Sequence, residues 1–359
     1  MSYSTRFTRR GLLAAGGIAS AGFLLTACGS DSTSSGSASG DSASGDSASG
    51  GDSTSASGRR TGGGWSFTDD RKTTVTAPGV PSRVVAFTGT AAALVDFGID
   101  KQIVGVFGET KRGDGKPDPQ AGDLDVNRVT ILGNVWGEFN IEKYAALRPD
   151  LLVTHMYDPG QLWYVPDESK SKILQLAPSV TISTGRVPLT TPIERYAELA
   201  ASLGADLKAK KVTDAKARFE AASAALHQAA TSNRIKVMAA SGSPDLFYVS
   251  SPEVSTDLMY FARLGVDFVV PPKLDPGGYF QSLSWENAGS YAADVILLDN
   301  RDSALQPKDL AAKPAWTRLP AVKANQVAPW SAVPRFSYAG AAPLLEDLAR
   351  AITNARKVS

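Results

Sequence analysis

Cysteine is nearly absent: Cys28 is the only one among 359 residues. A chain with a single thiol forms no internal disulfide and offers no thiolate zinc cage or catalytic cysteine pair, so its fold must rest on packing. Histidine is almost as scarce, with His155 and His227 alone. A zinc or manganese site needs several imidazoles or carboxylates converging on one point, so direct binding of a bare metal ion is not expected. Neither sign of charge dominates, since 37 Lys and Arg stand against 36 Asp and Glu, for a net charge of +1. With no basic run interleaved with aromatics, nothing would pull in nucleic acid or another polyanion. No apolar run reaches the roughly 20 residues that a spanning helix needs.

What is present is organised from the N-terminus. Arg9 and Arg10 precede an apolar stretch, 11–27, that suits a signal-peptide core. It ends in Leu25-Thr26-Ala27-Cys28, followed by Gly29 and Ser30. Small residues before the cysteine fit a peptidase subsite, and the thiol is the nucleophile that accepts a diacylglycerol thioether, so Cys28 is the expected lipidation site. Thr8-Arg9-Arg10-Gly11-Leu12-Leu13 resembles a twin-arginine export signal, with the general secretory route as the alternative. Two or more acyl chains would hold the protein on the extracytoplasmic face of a membrane. From Gly29 to Gly58 every residue is Gly, Ser, Asp, Ala or Thr, a composition that cannot bury enough apolar surface to offset ordering. The expected disordered tether, 29–64, has a root-mean-square reach of roughly 30–36 Å.

Beyond Trp65 short apolar strands alternate with helices, the pattern of parallel α/β architecture. Strands are expected at 83–87, 103–107 and 151–154, with a helix from Asn140 to Leu147 stopped by Pro149. A second set follows: a strand at 235–239, a helix around 258–264, another from Trp285, and a strand at 295–298. Phe97-Gly98-Ile99-Asp100 is echoed by Leu264-Gly265-Val266-Asp267, and Glu142 and Glu286 each lie eight residues before an aspartate, Asp150 and Asp294. These echoes predict two related lobes, 65–205 and 233–359. Between them Val212, Ala215, Phe219, Ala222, Leu226 and Ala229 recur at alternating steps of three and four, predicting one linker helix over 206–232.

Lipobox, tether, twin lobes and bridging helix together resemble the helix-linked (class III) binding proteins of ABC importers, from about Val75 to the C-terminus. The best local matches are 140–150 (NIEKYAALRPD), 284–287 (SWEN) and 316–327 (WTRLPAVKANQV). The leader and tether are similar to those of actinobacterial desferrioxamine-binding lipoproteins. The resemblance implies two Rossmann-like lobes on one backbone helix, and a monomer without cofactor or catalytic activity that carries a ferric siderophore, cobalamin or haem to a permease dimer. It implies that Glu142 and Glu286 dock into arginine pockets of the permease. An alternative reading for both glutamates is helix stability, since acids in a first turn complement the helix dipole.

In parallel α/β lobes ligands sit beyond the carboxyl ends of the strands. The loops there carry Trp136, Tyr157, Trp163, Tyr248, Tyr279, Trp330 and Tyr338 as candidate contacts, with Arg301 and Arg335 as the main cations and Arg186 as a weaker candidate. Phe280 and Phe336 read as packing residues. By the resemblance, Trp136, Tyr157, Tyr279 and Tyr338 with Arg335 fall where relatives contact ligand. Trp and Tyr supply rigid apolar area with one polar handle, suited to an amphipathic chelate. Few arginines favour a neutral or singly charged ferric trihydroxamate over anionic catecholates or citrates, each of whose desolvated charges needs a partner. Arg301 follows Asp299 and could instead pair with it; His155 could touch a ligand or hydrogen-bond a carbonyl. A hydrolase is the rival reading, but Ser241-Gly242-Ser243 lacks the Gly-x-Ser-x-Gly frame. The other is an adhesive or structural lipoprotein, which would lack a deep pocket between lobes.

Overall fold

The computed structural model describes residues 64–359. The export signal, Cys28 and the tether through residue 63 lie outside the described residues. A small antiparallel pair, β1 (Trp65–Thr68) and β2 (Thr74–Ala77), comes first. The first lobe then runs β3 (Val84–Phe87), α1 (Thr88–Asp96), β4 (Ile103–Phe107), β5 (Thr130–Ile131), α2 (Ile141–Ala146), β6 (Leu151–Met156), α3 (Lys170–Leu176), β7 (Ser179–Ser183) and α4 (Thr190–Ser202). Its five strands are all parallel, in the order β5-β4-β3-β6-β7. β3 and β6 are buried along their whole length, which is why they open on apolar runs, Val84-Val85-Ala86-Phe87 and Leu151-Leu152-Val153, rather than alternating ones.

The linker is α5 (Lys210–Asn233), 24 residues and therefore about 36 Å long. Its buried residues include Val212, Phe219, Ala222, Leu226 and Ala229, the stripe expected from the sequence; Ala215 is half-buried at its margin. The helix begins at Lys210 rather than at 206, because Asp206 turns the chain first: its Oδ1 accepts from the Lys208 amide at 2.9 Å.

The second lobe contains β8 (Lys236–Gly242), β9 (Leu246–Ser250), α6 (Thr256–Arg263), β10 (Asp267–Phe268), β11 (Phe280–Ser284), β12 (Val295–Asp299), three one-turn helices α7 (Pro307–Leu310), α8 (Pro314–Thr317) and α9 (Pro320–Lys323), then β13 (Val327–Trp330) and α10 (Tyr338–Asn354). Each one-turn helix begins on its proline, where the missing N–H is no loss. The sheet runs β11-β9-β8-β12-β13, with β10 also on β8. Two expectations need correction. The lobe is mixed rather than parallel, because β8 extends to Gly242 and folds back on β9 as an antiparallel hairpin, and β11 pairs antiparallel with β9. The helix from Trp285 is one 3₁₀ turn, Trp285–Asn287, since Gly289 and Ser290 give it nothing to propagate on. Ser241-Gly242-Ser243 belongs to that hairpin, with Ser241 Oγ donating to Asp299 at 3.1 Å, and so forms no nucleophile turn.

The echoed motifs occupy equivalent places. Asp150 accepts from the Ser82 and Arg83 amides at the foot of β3, and Asp294 accepts from the Lys236 amide at the foot of β8. Each carboxylate thus ties the strand that follows it to the central strand beside it. Gly98 and Gly265 end α1 and α6 in left-handed backbone, φ +99° and +95°, and in both the next amide reaches back five residues, Ile99 to Leu94 and Val266 to Phe261. One buried cluster joins α1 and α4 of the first lobe, α5, and β8, α6 and α10 of the second. Helix α10 lies along α5, clamped by a two-pronged Arg218–Glu346 pair at 2.7 Å.

Candidate ligand cleft

The strand ends of the two sheets face each other, and their loops bring most of the candidate aromatics into one row. Trp136 meets Trp163 edge-on at 5.1 Å between centroids, and Trp163 meets Tyr157 at 4.6 Å. Tyr157 meets Tyr279 of the second lobe at 6.4 Å, again edge-on. Behind Tyr279, Tyr248 and Phe280 pack together at 5.2 Å. The loop carrying Trp163 is held to β6 by two bonds: the Trp163 amide donates to the His155 carbonyl at 2.9 Å, and Thr154 Oγ1 donates to the Trp163 carbonyl at 2.8 Å. Tyr248, Phe280, Arg301 and Trp330 line a recess of ≈ 40 Å³ beside Ser241. That is well short of the roughly 300–1,000 Å³ of a small-molecule site. Phe280, expected as packing, lines this recess.

Two candidates are placed differently. Tyr338 is the first residue of α10 and turns to the linker, 6.0 Å from Phe97 and 5.6 Å from Phe219. Trp330 is buried, its Nε1 donates to Asp257 Oδ2 at 2.6 Å, and it lines the recess.

The cations are already partnered. Arg301 grips Asp299 through its Nε and Nη2 at 2.5–3.1 Å, the pairing with a near neighbour that its sequence left open. Burial alone would lower its pKa, but the Asp299 charge and hydrogen bonds raise it, so the guanidinium stays ionised. Arg335 crosses to the first lobe: Nη1 lies 3.4 Å from Asp96 Oδ2 and against Gly122, where any Cβ would collide with it. Burial is the largest influence on Asp96 and raises its pKa despite Arg335 and a 2.5 Å hydrogen bond from Ser337 Oγ. Arg186, the weakest of the three arginine candidates in the sequence, bridges the two lobes. It pairs with Asp158 at 2.6 Å, donates to the Gly277 carbonyl at 2.7 Å and lies 5.3 Å from the Tyr279 ring centre. The rule that found the other candidates, looking beyond strand ends, also reaches it, because it follows β7.

At the rim, Asp118 has its pKa raised to about 6, first by burial and then by the nearby Glu109 and Asp302 charges. His155, next to last in β6, sits in an aromatic cage of Phe87, Tyr157, Trp163 and Phe336, and burial lowers its pKa to about 3. It makes no carbonyl hydrogen bond, which removes one of its two expected roles. His227 lies on the exposed side of α5, bonded to the Leu264 carbonyl. Among the described residues no cluster of three potential metal ligands occurs.

Glu142 and Glu286 are both exposed. Asn140 caps α2, its Oδ1 accepting from the Lys143 amide at 2.8 Å, which leaves Glu142 in the first turn. Glu286 sits in the 3₁₀ turn, where hydrogen bonds from its own amide and from Ser284 lower its pKa.

No curated protein sequence matches the chain significantly. Among solved structures, DesE, a ferric-siderophore receptor protein from Streptomyces coelicolor, matches with a TM-score of 0.79 and 56% identity, covering 82% of this chain and 100% of that one. Staphylococcus aureus SirA complexed with staphyloferrin B matches with a TM-score of 0.56 and 20% identity, covering 81% and 98%. The siderophore periplasmic binding protein from the fuscachelin gene cluster of Thermobifida fusca matches at 0.54 and 20%, covering 76% and 96%. These two share the fold. The family model described as periplasmic binding protein matches residues 84–334. With twin sheets opposed across an aromatic cleft and joined by α5, the chain belongs to the periplasmic binding protein family.

Proposed function

We propose that this protein captures a ferric siderophore of the trihydroxamate, ferrioxamine type between its lobes and hands it to the permease of an ABC importer. The observation that carries this reading is the aromatic row from Trp136 through Trp163 and Tyr157 to Tyr279, which crosses from one lobe to the other. A neutral chelate with aliphatic linkers buries its apolar surface on such rings. The charge state supports the same class: Arg301, Arg335 and Arg186 each have a carboxylate partner, so a polyanionic chelate would have to compete for them. The identity to DesE, named as a ferric-siderophore receptor, supports the iron-chelate class. Binding rather than turnover is the role, and an extracytoplasmic site follows from the family. Cys28 is the proposed lipid anchor, with 65–205 and 233–359 as lobes, 206–232 as linker and Glu142 and Glu286 as the permease contacts.

Titration with a panel of chelates tests the reading. Ferrioxamine-type complexes should quench tryptophan emission, because Trp136, Trp163 and Trp330 line the cleft, and should raise the melting temperature. If catecholate, haem or cobalamin ligands shift both while ferrioxamines shift neither, the ligand class is wrong.

A further inference from the structure

Two side chains in the cleft wall keep hydrogen-bonding atoms buried without a partner among the described residues: both ring nitrogens of His155, itself 1% exposed, and the indole Nε1 of Trp163. Buried polar atoms are nearly always paired, and those that are not call for a reason. These atoms belong to one place. The two rings lie side by side, 6.0 Å between centroids and 24° between planes, and the backbone bonds that hold Trp163 to β6 preform the pair. Around them stand Phe87 and Tyr157 of the first lobe, while Phe336, 5.6 Å from the His155 ring, comes from the second. Part of the cover is therefore contributed by the opposite lobe.

The chemistry of the vacant bonds is specific. An indole N–H only donates, whereas a neutral imidazole has one donor and one acceptor nitrogen; burial with no facing charge keeps this imidazole neutral. A secondary amide answers both, its carbonyl accepting from Trp163 and its N–H donating to the bare nitrogen of His155. Iron-bound hydroxamate oxygens offer acceptors alone. We propose that His155 and Trp163 form a subsite for a secondary amide in the linker of the bound chelate, with Phe336 covering it when the cleft is empty.

This rests on the chelate reading above, and the experiment separates the two. Affinities are measured by fluorescence titration for two hexadentate ferric trihydroxamates, one with amides in its linkers and one with ethers in their place. His155→Phe, which keeps the ring in its cage, should weaken the amide-bearing complex at least tenfold and change the ether complex less than twofold. Equal losses for both, or none for either, would overturn the subsite. If the wild type binds neither complex, the chelate reading falls and takes the subsite with it. Should His155→Phe fail to fold, ¹⁵N-histidine spectra of the wild type decide. The gallium complex of the amide chelate should move a His155 ring-nitrogen resonance toward its hydrogen-bonded position, and an unmoved resonance would sink the proposal.

Discussion

At the residue scale the most consequential side chain is His155, because its neutral state is tied to the packing of both lobes. Its pKa is about 3 in the folded protein against 6.5 ordinarily, so the unfolded chain takes up a proton that the folded one refuses. Its contribution to stability is complete above about pH 6.5 and declines as the pH falls toward 3, by up to about 1.4 kcal/mol per pH unit. Asp118 opposes this, since its raised pKa of about 6 relieves a cost on acidification. Urea unfolding from pH 8 to pH 4 should therefore show a steeper loss for the wild type than for His155→Phe, while both keep the Asp118 response. Parallel pH profiles would contradict the buried neutral imidazole. What the sequence reveals at this scale follows distance along the chain. The Arg301–Asp299 pair, two residues apart, is legible as an alternative, whereas Arg335–Asp96, 239 residues apart, is not. Tyr338 reads as a cleft residue because it follows a strand, but it is also the first residue of a helix that packs on α5, and that packing sets its direction.

At the scale of elements, apolar period was the strongest guide. Runs of three or more consecutive apolar residues mark β3, β6 and β12, and the three-and-four stripe marks α5, because burial on two faces or on one stripe writes directly into residue type. The antiparallel hairpin β8–β9 was hidden for the same reason: a buried strand carries no record of its neighbour's direction. Leu226 tests the spine. It is fully buried on α5 within the cluster shared by both lobes, so Leu226→Ala should lower unfolding stability by about 2–5 kcal/mol in denaturant titration. The exposed neighbour Ala225, changed to Ser, should cost less than about 1 kcal/mol. A small loss at Leu226 would mean that α5 is a detachable tie rather than part of a common core.

At the scale of the whole molecule, the repeat relates more than the folding pattern. In each lobe an exposed glutamate precedes by eight residues the aspartate that pins the central strand, Glu142 with Asp150 and Glu286 with Asp294. The aspartates are bound inward and account for their own positions through backbone amides, whereas the glutamates are exposed and take no part in pinning the strands. Glu142 lies in a six-residue helix and Glu286 in a single 3₁₀ turn, so their elements differ while their charge and exposure agree. A two-lobed body presenting one exposed carboxylate on each lobe can engage a two-fold partner at two equivalent basic sites, and neither glutamate belongs to the aromatic row. Glu142→Ala and Glu286→Ala should thus leave chelate affinity within about twofold and the melting temperature nearly unchanged, since exposed substitutions rarely exceed about 0.5 kcal/mol. Iron uptake in cells carrying the cognate permease should drop with each, and the double variant should lose most of it, because two-point attachment loses avidity steeply when either point is removed. Full uptake by the double variant would assign the two acids to their local turns alone.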